Sequence, residues 1–299
     1  MTLDPQQLAG VVRVGRPVAE PPIGSWSESA TWRWLRWVFN APAAVLLILT
    51  LAAIFAPLIT RYDPVTPDFA QKLLPPSGTH WFGTDSLGMD VYTRVVYATR
   101  IDLSVAAASV LLGIVLGSPI GALAAYTGGW FDAMMGRVTE MVQSFPAILI
   151  AMLVLAAAGN NLITLTILLG VLNAPVYLKM VRSVALPLRN VEYILAARCS
   201  GHSGLSLLWK HILPNTLVPV FSQFSISCAF AIQLIAGLSF IGLGVRVPQP
   251  EWGSMINEGA NYIVFGQWWP SVFPGIAVFA TAFALTSLGN RVRRAALHE

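Results

Sequence analysis

The sequence predicts an all-α integral membrane protein. Three observations carry that prediction. Of 299 residues, 56% are hydrophobic and only 11% charged, against about a quarter charged in soluble domains, and the mean hydropathy is +0.66. The apolar residues gather into six runs, each near the ~20 residues that a helix needs to cross a bilayer. None of the runs has the alternating ten-residue pattern of a barrel strand, so helices must satisfy the backbone inside lipid.

Each element follows from its run. Residues 1–38 are polar and Pro-rich, with no apolar core of signal-peptide type, and read as a retained, partly disordered cytoplasmic tail. Within it Trp32, Trp34 and Trp37 alternate with Arg33 and Arg36. That pattern fits a short interfacial helix or an ordinary aromatic belt. The membrane domain is expected over 39–290. Its first span is 41–60, free of charge, and its second is 103–126. The stretch 141–178 is too long for one crossing and is divided at Gly159-Asn160-Asn161, a turn signal, into 141–158 and 162–178. The fifth span is 216–242 and the sixth 268–288. Residues 61–102 form a polar outer segment, 183–215 a cytoplasmic loop and 291–299 a C-terminal tail.

Loop charge sets the expected orientation. With the N-terminus inside, thirteen of the 18 Lys and Arg residues fall on the inner side. The outer side keeps Arg61, Lys72, Arg94, Arg100 and Arg246. Both termini and the 193–215 loop are therefore expected in the cytoplasm. No Lys/Arg block suggests nucleic acid.

Catalytic and metal motifs are missing. There is no GxxxxGK[ST], no Gly-Lys dipeptide, no HExxH and no GxSxG. His80, His202, His211 and His298 are scattered, and Cys199 and Cys228 fall in different environments, so neither zinc nor a disulfide is expected. His80 with Asp85 and Asp90 makes a poor metal site. The centres of the predicted spans hold no carboxylates, which an ion-coupled pump usually needs. A stand-alone secondary transporter or channel is the alternative reading, and an assembly protein that only anchors a partner is another. Uphill transport by this chain would need an energy source in a partner.

Small and polar residues mark faces. Gly113, Gly117 and Gly121 repeat every four residues, a spacing that lets helices approach closely. Ser222, Ser225, Ala229, Gln233 and Gly237 share one face of the fifth span, and Asn173 is a lone amide in the fourth. Asn173, Ser222, Ser225 and Gln233 are candidates for a solute path, with plain packing as the other reading. Asp85, Asp90, Glu251 and Trp252 on the outer side could contact a delivery protein, or could cap turns and helices.

The 193–215 loop reads YILAARCSGHSGLSLLWKHILPN. Leu195, Ala196, Ala197 and Arg198 suit a short helix. Gly201, His202, Ser203 and Gly204 permit a turn, Leu205 opens a second apolar face, and Leu213-Pro214 leads into the next span. This spacing resembles the Glu-Ala-Ala loop of ABC importer permeases. Three more segments extend the likeness over most of 40–290. Residues 81–90 (WFGTDSLGMD) resemble a GTDxxGRD signature. LSFIGLG at 238–244 with PQPEWGSM at 248–255 resembles LGFLGLG…PEWG. Gln143-Ser144-Phe145-Pro146 opens the third span. Together they resemble the C-type permease subunit of the peptide/nickel/opine branch of ABC importers, as in dipeptide and oligopeptide permeases. Leu195 stands in place of the wider family's Glu, Met89 in place of Arg, and the Asp usual after Gly289 is absent. With Leu195 the docking contact would rest on shape, apolar residues and Arg198 or Lys210.

The resemblance implies a type I importer fold with six transmembrane helices in a bacterial inner membrane. It implies a second homologous permease, two cytoplasmic ATPase subunits and an extracytoplasmic solute-binding protein. ATP and Mg would be used by the ATPases; the permease itself would bind no cofactor and catalyse nothing.

Overall fold

The computed structural model describes residues 41–245 and 247–297. The tail at 1–38, with its expected interfacial helix, lies outside the described residues. The described chain forms α1 (Ala41–Ile54), α2 (Ala56–Ile59), α3 (Val91–Thr127), α4 (Gly129–Ser144), α5 (Ala147–Ala158), α6 (Leu162–Leu188), α7 (Glu192–Cys199), α8 (Gly204–Leu207), α9 (Leu213–Asn215), α10 (Leu217–Phe240), α11 (Trp252–Ala260) and α12 (Trp269–Leu297). No strand occurs among the described residues.

Helices α3, α6, α10 and α12 are each long and apolar enough to cross a membrane. The bent pair α4–α5 makes a fifth span if its two parts are counted together, and α1 is a shorter apolar helix. Several boundaries differ from the sequence reading, each for a local reason. The 103–126 span begins twelve residues earlier, at Val91, because Asp90 caps it: its carboxylate accepts from the Thr93 amide at 2.8 Å. At 37 residues α3 is about 55 Å long, well over the ~30 Å of a hydrocarbon core. Arg94 and Arg100, taken as outer-loop charges, therefore lie on a helix. So does Asp102, which is fully buried near the start of α3.

The expected 141–158 span is corrected. Pro146 has no amide hydrogen and disfavours helix in the residue before it. Phe145 is extended at φ −96°, ψ 140°, and α4 and α5 bend by 83° across the break. Residues 141–144 thus belong to α4. Helix α6 runs ten residues past 178, to Leu188, and α12 carries the expected tail to Leu297.

The core is the face where α3 meets α6. A Cβ built on Gly117 would stand 2.2 Å from the Ala174 carbonyl oxygen, and one on Gly121 2.4 Å from that of Leu178. The glycine repeat is therefore a packing seam. Around it Val110, Ala122, Leu169, Tyr177, Val181, Ile232 and Ile235 are buried.

One irregularity lies between α1 and α2. Pro57 cannot bond back to the Ala53 carbonyl, and the Leu58 amide donates to Phe55 O instead of Ile54 O. Arg100 reaches across from α3 to supply both donors: Nε bonds Ala53 O and Nη2 bonds Ile54 O at 2.8 Å.

Candidate functional site

Two polar constructions stand at opposite ends of α3. The first is a cap at the Val91 end. Asp85 Oδ1 accepts from the amides of Leu87 and Met89, each at 2.9 Å. Its Oδ2 faces Arg94 Nε at 3.2 Å as an ion pair without hydrogen-bond alignment. The Arg94 side chain is fully buried. Its Nη1 donates to Pro64 O and Pro248 O, both at 3.1 Å, and meets Met89 Sδ at 3.0 Å. One guanidinium thus ties the segment before α3 to the loop before α11, and Met89 fills space beside it. Burial pushes the Asp85 carboxyl above the ordinary range, with Arg94 opposing.

Asp90 also holds His80, whose Nδ1 lies 2.9 Å from Oδ1; His80 Nε2 is 2.6 Å from Gln71 Oε1 and Tyr62 stacks on the ring. Glu251 caps α11, accepting from the amides of Gly253 at 2.7 Å and Ser254 at 2.8 Å. Burial raises this carboxyl above its ordinary value against those bonds. The Trp252 amide donates to Asp102 at 3.2 Å and its indole to Val95 O at 3.0 Å. Asp85, Asp90, Glu251 and Trp252 are all buried. They are caps and braces inside this chain, with almost no surface of their own for a partner. Sequence reasoning missed Arg94 as the buried partner of Asp85; its signal was a basic residue one turn past a capping Asp. No group of three or more metal-ligating side chains occurs among the described residues.

The second construction is the loop at the other end. Helix α7 ends where Gly201 takes φ +82°, a conformation that suits glycine. A π-helical turn, Leu208–Ile212, and short α9 then lead into α10. Pro214 sits in α9, so the expected start of the span at 216 with Pro214 at its edge becomes a start at Leu217. The loop has two faces. Ile194, Leu207, Leu208 and Ile212 are buried. Arg198 lies over the Tyr126 ring at 5.6 Å, and Gly204 packs so close to Tyr126 that a Cβ would be 2.9 Å from its hydroxyl oxygen. These contacts root the loop on the end of α3. On the opposite side Leu195 and Trp209 are 42% and 53% exposed, and Ala196, Gly201, His202, Ser203 and Pro214 are exposed with them. Ala197, Gly204 and Leu213 are half-buried. The Leu205 side chain lies outside the described residues. Arg198, expected to face a partner, is exposed and at the same time lies over Tyr126.

The path candidates separate. Asn173, Ser222 and Ser225 are buried between helices of this chain. Asn173 Nδ2 donates to Leu169 O at 2.9 Å, and Ser225 Oγ to Leu285 O of α12 at 2.7 Å. Gln233 is exposed.

The family model "Binding-protein-dependent transport system inner membrane component" matches residues 117–297, more than half of the chain. A second, "N-terminal TM domain of oligopeptide transport permease C", matches 43–76. The dipeptide transport system permease protein DppC of Alkalihalophilus pseudofirmus is 34% identical over 285 residues, 93% of each chain. The glutathione transport system permease protein GsiD of Pectobacterium atrosepticum is 35% identical over 282 residues, 92% of this chain and 93% of that one. Among solved structures, a chain of the MetNI methionine ABC transporter in an inward-facing conformation aligns with a TM-score of 0.49 at 20% identity, over 67% of this chain and 96% of that one. The family match and the near full-length relatives place this chain among the binding-protein-dependent transport system inner membrane components, as a permease subunit of an ABC importer.

Proposed function

We propose that this subunit imports peptides or closely related solutes, and that the 192–215 loop is where ATPase subunits drive it. The observation that carries the coupling role is the loop's two-sidedness. A buried face locks onto the end of α3, while Leu195, Ala196 and Trp209 face outward. A push on the outer face passes to α3 and α10 through packed side chains, without a flexible link. In this reading six spans cross the membrane, with α1–α2 as the first and α4–α5 as the third, and both termini and the loop are cytoplasmic. A second permease completes the pathway, two ATPases bind ATP and Mg, and a solute-binding protein delivers cargo to the outer rim. That rim would present the exposed surface around the Arg94 cap. Gln233 would line the path; the other small and polar candidates would set its wall by packing. Two global arrangements, biased by ATP binding, account for alternating access. The absence of a nucleotide motif in the sequence supports an external motor.

Peptide cargo rests on the named relatives, which carry dipeptides and glutathione. The test is ATP hydrolysis by the reconstituted transporter with its binding protein loaded by di- and tripeptides, nickel complexes or opines. Peptide-loaded protein is expected to stimulate hydrolysis several-fold over unloaded protein. Stimulation by another solute alone would reject peptide cargo, and no coupling of hydrolysis to uptake would reject the motor reading.

A further inference from the structure

Helix α4 has two unlike faces. With about 100° per residue, Trp130, Met134, Val138, Met141 and Phe145 (the last just past its end) fall on one narrow stripe. They are between 38% and 73% exposed. About 160° round the helix lie Asp132, Thr139 and Gln143. Asp132 is bound by both Arg182 Nε and Nη2, the latter at 2.7 Å, and Gln143 accepts from Lys179 Nζ at 2.5 Å. Thr139 is buried. The polar face is thus clamped to the end of α6, at the end of the bundle that carries the 192–215 loop. The clamps fix the apolar stripe facing away from the chain.

The 83° bend between α4 and α5 turns α4 across the direction of the span it leads into. The exposed apolar series continues through the bend as Leu149 and Leu153 on α5, a surface that a spanning helix turns to lipid or to a neighbour. An apolar stripe ending in Trp130 and Phe145, with charged Arg137 at its edge and Glu140 farther round the helix, is the pattern of a helix lying in a membrane surface.

We infer that α4 is an interfacial helix whose Trp130–Phe145 stripe sits in the lipid of the membrane leaflet at the loop end, holding α6 and the adjoining 192–215 loop at a fixed depth. Arg137, 80% exposed at its side chain, reaches toward the headgroups by the route long basic side chains take at interfaces. The inference rests on the chain spanning a membrane and not on its cargo, so it stands or falls separately from the peptide reading.

The test is photo-crosslinking of the assembled transporter in phosphatidylethanolamine/phosphatidylglycerol vesicles. The photoreactive residue p-benzoylphenylalanine is placed singly at Met134, Val138 or Met141, with Glu140 as the control position. Phospholipid adducts, read by mass, are expected at all three stripe positions in several-fold greater yield than at Glu140. Cross-linking of the stripe to another protein subunit would overturn the inference. Lipid yields no higher than at Glu140 would overturn it as well.

Discussion

Pro57 breaks one helix, and Arg100 repairs the break from another. Two carbonyls left without helical donors at an apolar helix end are costly, and the guanidinium satisfies both. Arg100→Leu should cost about 2 kcal/mol, in the range for a charge-assisted bond, and lower the unfolding midpoint in detergent; Arg100→Lys should recover only part, lacking the fork. Gly201 makes a similar point with backbone alone. Its Cβ position is open, with nothing within 4 Å, yet its φ is +82°. Gly201→Ala should therefore cost roughly 1–2 kcal/mol through conformation only, read as a lower melting temperature. The cap carboxyls give a pH signature. Asp85 and Glu251 have raised values because they are buried, so the folded chain holds their protons more tightly than the unfolded chain. Their contribution is fully present below the ordinary carboxylate range, about pH 4. It is lost as pH rises through the raised values. Melting temperature should fall over that rise, and less steeply in Glu251→Gln. These caps were legible as capping residues from Asp and Glu placed before helical runs. Arg94 and Arg100 were not, because a charge count assigns a side of the membrane and cannot reveal which distant carbonyl a long side chain will reach.

At the scale of elements, the contact of α3 with α6 depends on three missing side chains. Gly117→Leu would set a Cβ 2.2 Å from a backbone oxygen, and backbone has less freedom to move aside than a side chain. A loss of about 1–3 kcal/mol is expected, and failure to assemble with partner subunits on co-purification would register it. The glycine repeat could be read from sequence because helix period converts spacing into a face. The bend at Phe145-Pro146 had a signal in Gln143-Ser144 and Pro146, but hydropathy alone does not distinguish one crossing helix from two helices at an angle. The serine–glutamine stripe on α10 was visible as a face, but its occupants were not. Ser225 turned out to bond Leu285 of α12, whose approach no local pattern encodes.

At the scale of the whole molecule, the described residues form a helical body with a braced cap at one end of α3 and a two-faced loop at the other. The loop was the clearest functional signal in the sequence, because a compact polar island between apolar runs needs a partner to explain it. Its anchoring on Tyr126 was not visible there, since no local pattern encodes which ring Arg198 and Gly204 will meet. Helix α7 offers a native probe of docking. Cys199 is exposed and free, Cys228 is buried, and at 100° per residue Cys199 shares a face with Leu195 and Ala196, opposite Ile194. The decisive measurement is the rate of maleimide labelling of Cys199 in membranes, with and without the ATPase subunits bound. If the 192–215 loop seats the motor, labelling slows several-fold when the ATPases bind. An unchanged rate in the assembled complex would contradict the account.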